Sequence, residues 1–550
     1  MKSEVLRKLN FPLLLLLPPS CRRTKIVLTG LAFAFFCLAA TPAAVPADAD
    51  TQQIEPGNAR QAVRQAEKLV RKGQLLEAEK LLRRVVQQNP ADSKAKIKLA
   101  FVLMKRKHLV EAYDYAVEVA KNEPKNAYAF AVLGATLLNA GNFKQAALCF
   151  VNALKLDKGE ALAWAGLGLL DYYENRIDKS LEFLKAAEDR DPQEADYVFA
   201  RAQVSARAER YKEAAEAYDR FLQISQDADD ERRARIKGLI NFLRFLGNKQ
   251  ALYIALGEEK TTVPVRLLRD RPVIEVKIGK HNEPLRFVLD TGSGISVISE
   301  EVSRRLDIKP ITKGGLARAV GGNGKFQIVY GFLRQISIGE VKIQNVPVYI
   351  RKFHENDEKI DGYIGLGLIS KFLTTLDYGA LTFSLVRRSG IEETAATTAA
   401  ESGNLPSQPL RLTSSGYLSG EVQLEGIETP LNFIVDTGAS VSVISQEVAA
   451  LNEVNKYISS EKMRVVGAAG VTEGVSAFLL PRVTFGNHTR EKIKAIALDL
   501  DIINETSGFE QAGILGGNFL KNYRLTFDFK NSRVTFEPVA SGVGGALKPE

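Results

Sequence analysis

Thirteen residues occur twice in this chain with little change. Phe287-Val288-Leu289-Asp290-Thr291-Gly292-Ser293-Gly294-Ile295-Ser296-Val297-Ile298-Ser299 returns as Phe433-Ile434-Val435-Asp436-Thr437-Gly438-Ala439-Ser440-Val441-Ser442-Val443-Ile444-Ser445. Each copy is an apolar β-type run that ends in a carboxylate, a small tight turn, and a second β-type run. A carboxylate at the end of a buried strand is costly unless it has partners. Its appearance in both copies suggests that the two acids partner each other.

The likeness extends on both sides of the motif. Upstream, Val273-Ile274-Glu275-Val276-Lys277-Ile278 alternates with period two and ends in a turn at Gly279-Lys280-His281-Asn282. Gly420 to Leu424 and the turn Glu425-Gly426 repeat that plan, and Pro284 and Pro430 each precede their Asp by six residues. Downstream, Val320-Gly321-Gly322-Asn323-Gly324 matches Val466-Gly467-Ala468-Ala469-Gly470. Tyr363-Ile364-Gly365 matches Ile514-Leu515-Gly516, each before a short predicted helix with a Phe-Leu pair, Phe372-Leu373 and Phe519-Leu520. Leu376-Asp377-Tyr378 matches Phe527-Asp528-Phe529, and closing strands are expected at Leu381 to Phe383 and Val534 to Phe536. Two copies of one domain are expected, at 265–390 and 408–540. The intervening 391–407, rich in Ala, Thr, Ser and Glu with no apolar period, reads as a linker.

Residues 59–247 follow a different rule. Ala78, Ala112, Ala146, Ser180 and Ala214 lie 34 residues apart, and Pro90, Pro124 and Pro192 share that grid with Lys158 in the missing slot. Gly134 and Gly168 are also 34 apart. A fixed period of this length signals a helical solenoid, whose units bury one another's apolar faces. The pattern resembles the tetratricopeptide repeat, most clearly at Trp164, Leu167, Gly168, Ala187 and Pro192. About five repeats are expected, with a capping helix from Glu231 to Leu246. Such an array implies a protein or peptide partner, with a spacer or a dimerisation surface as the alternative. His108 reads as a helix-surface side chain.

The paired copies resemble the retropepsin-like aspartic proteases. Asp-Thr-Gly alone is a weak signal. Here it follows a strand, precedes an apolar strand, and is accompanied by a glycine turn and an apolar-apolar-Gly element, twice over. The expected architecture is therefore multidomain: an all-α tetratricopeptide-repeat solenoid followed by two all-β retropepsin-like lobes of the acid-protease barrel type. The resemblance implies that Asp290 and Asp436 are the catalytic pair. Thr291 and Thr437 would hydrogen-bond across to the opposite lobe. Gly292 and Gly438 would let backbone amides approach the carboxylates. Ser293 and Ala439 complete the two loops, and Gly321, Gly322, Gly324, Gly467 and Gly470 are flap candidates. A hydroxyl at Ser293 could reach the outer oxygen of Asp290 and bias it towards the ionised form. The implied activity is endopeptidase, with no cofactor and no metal; a peptide-binding scaffold without activity is the alternative. Dyads formed within one chain and between chains both stay open.

Residues 1–47 read as an export signal. Positive charge ends at Lys25, Ile26 to Ala40 is apolar, and Val45-Pro46-Ala47 offers a small-residue cleavage site. Ile26 to Val45 is also long enough to span a bilayer, so cleaved signal and retained membrane anchor both stand. Either places the remainder outside the cytoplasm, as a periplasmic, secreted or anchored protein. The formal charge of +9 arises from 74 basic and 65 acidic residues. Removing the six basic residues and one acid of 1–47 leaves 68 against 64, or +4, too weak for a nucleic-acid partner. The four histidines lack metal-ligand spacing. Beyond Cys21 and Cys37, Cys149 stands alone in a predicted helix, where a core role is expected.

Overall fold

The computed structural model describes residues 56–225, 229–249, 251–319, 325–353, 359–387 and 407–539. The expected N-terminal signal or anchor at 1–47, the flap candidates Gly321, Gly322 and Gly324, and the linker at 391–406 lie outside the described residues.

The 34-residue period becomes a row of helix pairs. The first helices are α1 (Pro56–Arg71), α3 (Ser93–Lys105), α5 (Ala127–Asn139), α7 (Ala161–Tyr173) and α9 (Ala195–Arg207). Their partners are α2 (Leu75–Gln88), α4 (Leu109–Asn122), α6 (Phe143–Leu156), α8 (Ile177–Arg190) and α10 (Tyr211–Ile224). Ala78, Ala112, Ala146, Ser180 and Ala214 are each the fourth residue of a partner helix, and all are 0% exposed. The small side chain lets the helices of a pair close together. Ser180 keeps this position although polar, because its hydroxyl donates to the Gly168 carbonyl at 2.7 Å. A Cβ on Gly168 would stand 2.8 Å from Leu184 Cγ, so the close approach excludes one. Pro90, Pro124 and Pro192 lie just past α2, α4 and α8, where chain lacking an N–H cannot continue a helix. At the odd slot α6 still stops, and Asp157 Oδ1 accepts the Gly159 N–H at 2.7 Å to form the turn. Helix α11 (Asp230–Gly247) caps the array, its own start capped by the Asp229 carboxylate on the Glu231 and Arg232 N–H groups.

Each lobe is built on a sheet, nine-stranded in the first and eight-stranded in the second. The strand before each Asp pairs in parallel with the apolar-apolar-Gly strand: Leu285–Leu289 with Gly362–Ile364, and Leu431–Val435 with Gly513–Leu515. A third sheet of six strands draws on both lobes. Phe372–Asp377 pairs antiparallel with Tyr523–Asp528, from Thr374 opposite Phe527 to Asp377 opposite Arg524. The lobes therefore join within a single chain. One expected correspondence shifts here. Phe372-Leu373 opens a strand, whereas Phe519-Leu520 closes a short helix; the equivalent helix of lobe 1 is Leu366–Ile369. Phe372 matches Tyr523, and the period-two burial of a strand decides its place.

The array packs on both lobes. Phe509 of lobe 2 is fully buried between the rings of Phe143 and Tyr173, at 4.9 and 5.0 Å. Beside it the Glu510 N–H donates to Asn139 O at 2.8 Å, and Asn175 Nδ2 donates to Phe529 O at 3.1 Å. Lobe 1 meets α11 instead. Gly238 lies so close to strand Thr312–Arg318 that a Cβ would stand 2.4 Å from Gly314 Cα. Arg235 Nη1 donates to Leu316 O at 2.8 Å, and Phe242 stacks on Tyr330 at 4.4 Å. Cys149 is buried in α6, and burial pushes its thiol up to about 12. His108 is exposed at the N-cap of α4. No helix among the described residues is long and apolar enough to cross a membrane.

Candidate active site

Both Asp-Thr-Gly turns begin where their strands run out of sheet partners. The Asp290 N–H donates to Ile364 O and the Asp436 N–H to Leu515 O, each at 3.0 Å. The next residues exchange hydrogen bonds across the lobe boundary. Thr291 Oγ1 donates to Val435 O and Thr437 Oγ1 to Leu289 O, both at 2.7 Å. Each hydroxyl also accepts the other's backbone: Thr437 N–H to Thr291 Oγ1 at 3.0 Å, and Thr291 N–H to Thr437 Oγ1 at 3.2 Å. Both threonines are about 1–2% exposed, so these four bonds form without competition from solvent.

The exchange sets the acids against each other. A Cβ on Gly292 would lie 2.4 Å from Asp436 Cγ, and one on Gly438 would lie 2.7 Å from Asp290 Oδ1. These two positions therefore exclude any side chain. Gly292 N–H donates to Asp290 Oδ1 at 3.0 Å and Gly438 N–H to Asp436 Oδ1 at 2.7 Å. Burial and then the Asp436 charge push the Asp290 carboxyl well above the usual carboxylate range. Asp436 is also raised by burial, but the amides of Gly438, Gly292 and Ala439 oppose the rise. Both carboxyls are thus raised above their usual range, and the pair titrates as one unit that shares a proton.

The hydrogen bond expected from Ser293 to Asp290 does not form. The Ser293 hydroxyl turns away from Asp290 and donates to Ile295 O at 2.8 Å. Ser293 and Ala439 play the same backbone part: Ser293 O accepts from Leu366 N–H, and Ala439 O from Gly517 N–H, both at 2.7 Å.

Above the pair, strands Ile458–Gly467 and Gly470–Phe485 form a hairpin whose two-residue turn is Ala468-Ala469. Gly467 and Gly470 face each other across it, Gly470 with φ +134°. Arg351 of lobe 1 donates to Ala468 O at this tip. Two further residues beside the acids escaped the sequence reading. Arg271 acts on Asp290 electrostatically and donates to the Tyr363 phenol. The Tyr417 phenol is pushed up to about 12 by burial and by both aspartates. Register makes them equivalent: Val273 opposes Val288 and Ser419 opposes Ile434, and each partner stands two residues after Arg271 or Tyr417. Carrying the comparison of the two copies upstream past Val273 and Ser419 reaches both.

Asp290 and Asp436 open onto a cavity of about 1380 Å³ between the lobes, lined also by Ser293, Gly467, Arg351 and Tyr417. Carboxyls that share a proton, faced by a cleft this large, can act together as base and acid on a bound chain.

A family model described as aspartyl protease matches twice, over residues 274–368 and 420–519. Two tetratricopeptide-repeat models match residues 69–136 and 167–229. No curated protein matches the chain. Among solved structures, a thermophilic tetratricopeptide-repeat protein of Thermus thermophilus is similar at 21% identity and TM-score 0.29, over 33% of this chain and 98% of that one. The PilF protein of Pseudomonas aeruginosa is similar at 15% identity and TM-score 0.26, over 34% and 86%. The chain thus joins tetratricopeptide repeats to two aspartyl-protease-like lobes.

Proposed function

We propose that this chain is an aspartic endopeptidase that hydrolyses peptide bonds with a water activated between Asp290 and Asp436. The observation that carries the reading is the threonine exchange, which holds two half-buried acids against each other at the floor of a cleft. Asp436, faced by three amides, takes a proton from the water as it attacks the scissile carbonyl. Asp290 holds the shared proton and gives it to the carbonyl oxygen. The proton gained by Asp436 then passes to the leaving nitrogen as the C–N bond breaks, and a hydroxyl of the collapsing diol intermediate returns a proton to Asp290, so the pair regains its single proton. The hairpin tip at Gly467–Gly470 closes over the bound chain and keeps bulk water from the reacting atoms. The array brings a protein substrate or partner to the lobes it contacts, and the N-terminal segment directs the protein out of the cytoplasm.

Casein digestion by the full chain tests this. Asp290→Asn and Asp436→Asn each lower the rate by about 10²–10⁴-fold, the range for losing an acid or base. A mixture of the two variants stays inactive, because the six-stranded sheet pairs the lobes of one chain. Recovery of activity on mixing would mean dyads between chains. Unchanged cleavage by either variant would remove the proposed mechanism.

A further inference from the structure

We infer that the repeat array supplies a specificity subsite of the cleft itself, a pocket for an aromatic or large aliphatic side chain of the polypeptide substrate. The cavity floored by Asp290 and Asp436 continues between lobe 1 and the last helices of the array. Phe199 and Gln203 of α9, Tyr218 of α10, and Ile236 and Leu239 of α11 line it there. An array that merely recruited a substrate from a distance would not share a wall with the acids.

This wall has a preformed apolar centre, with Gln203, Asp229, Glu231 and Arg235 also lining the cavity. Phe199 packs edge-on to Tyr218 at 5.5 Å and lies 5.0 Å from Phe221. The Arg232 guanidinium covers Phe199 at 5.1 Å, which fixes the ring without a bond to the cavity. Phe199 and Leu239 nonetheless stay half-buried, while Tyr218 and Ile236 are buried. Exposed edges of an ordered aromatic cluster, open to a cavity, are what an apolar side chain displaces water from. The path to the acids is lined by further rings. Tyr330 and Tyr349 stand 5.4 Å apart on lobe 1, and Tyr417 lies within electrostatic reach of both aspartates. An extended chain bound at Asp290 and Asp436 therefore reaches the array through a corridor of tyrosines.

This inference rests on the endopeptidase reading for its readout. The full chain and its Phe199→Ala and Gln203→Trp variants are given a library of random peptides, and cleavage sites are read by mass spectrometry. The unaltered protein should favour a large apolar residue at one position away from the scissile bond. Replacing that residue by serine should lower kcat/KM about tenfold, as for loss of an apolar contact of this size. Phe199→Ala opens the wall and Gln203→Trp fills the pocket, so both level that preference and leave the one beside the scissile bond in place. Two variants guard against misfolding of one, since the melting temperature identifies a folded protein. A folded variant of each kind that keeps the distant preference overturns the inference. If the unaltered chain cleaves nothing, the endopeptidase reading falls instead. The same library is then bound to the Asp290→Asn/Asp436→Asn protein with and without Phe199→Ala. Enrichment of apolar peptides that Phe199→Ala abolishes supports the subsite, and enrichment that survives it overturns the subsite.

Discussion

At the threonine turns lobe 1 and lobe 2 are near copies, with cross-lobe hydroxyl bonds of 2.7 Å in both directions and Asp N–H bonds of 3.0 Å in both. Away from the turns they part. Lobe 1 lays strand Thr312–Arg318 against α11, with glycine on glycine. Lobe 2 sends Phe509 into the middle of the array, and its hairpin at 458–485 reaches over to Arg351. Beside the acids, lobe 1 places Arg271 where lobe 2 places Tyr417. The halves stay alike where each must complete the other, and differ where a third partner, the array, touches them. A symmetric pair of turns is thus set in an asymmetric cleft.

The largest effect should come from the contact special to lobe 2. Phe509→Ala removes a fully buried ring from between Phe143 and Tyr173 and should cost about 3–5 kcal/mol. Denaturant unfolding would register it as a lower midpoint. A loss well below this range would mean that the array and lobe 2 are not one cooperative unit, and the contrast in docking would lose its footing.

The symmetric feature predicts equality instead. Thr291→Val removes the acceptor of the Thr437 N–H and the donor to Val435 O; Thr437→Val does the same to the Thr291 N–H and Leu289 O. Each buried group left without its partner costs about 1–3 kcal/mol. The two variants should therefore lose matching stability and matching activity. Unequal losses would show that one turn alone carries the boundary between the lobes.

Much of this plan was legible in the chain because its constraints are local. A 34-residue grid follows from small residues at helix crossings, and Ala78 through Ala214 obey it with zero exposure. The Asp-Thr-Gly copies declare themselves because glycine and threonine meet steric and hydrogen-bonding demands within three residues. Contacts between distant segments left no such trace. Nothing near Phe199 or Leu239 announces a cleft, since a half-buried apolar residue reads as ordinary core. Phe372 could join a helix or a strand until its pairing with Arg387 fixed the answer. The direction of the Ser293 hydroxyl depended on the carbonyl of Ile295 two residues on, a competitor that is close by but invisible without backbone geometry.

A smaller effect should mark the lobe 1 contact. Gly238→Ala drives a methyl towards Gly314 Cα and Lys313 O, and overpacking of this kind costs about 1–3 kcal/mol. The strand it displaces pairs with Lys325–Ile338, whose Phe326 and Ile328 line the cavity, so KM for peptides should rise while kcat changes less. A variant with unaltered KM would show that this strand's contact with the array does not bear on peptide binding.

The finest comparison lies in the acids and in Ser293. Burial raises both carboxyls, so the folded chain holds protons more tightly than the unfolded chain does. The stability they contribute is fully present below the usual Asp range near about 4 and is lost as pH rises through the raised value of Asp290. Asp290→Asn, which cannot ionise, should therefore melt higher than the unaltered protein at neutral pH, and the advantage should vanish in acid. Ser293→Ala should move neither limb of the pH–rate profile, because the hydroxyl bonds Ile295 O and the equivalent residue in lobe 2 is already Ala439. Its cost is one exchanged hydrogen bond, about 0.5–1.5 kcal/mol. A shifted limb would place that hydroxyl on the Asp290 carboxylate during turnover, and the two turns would then differ in chemistry as well as in sequence.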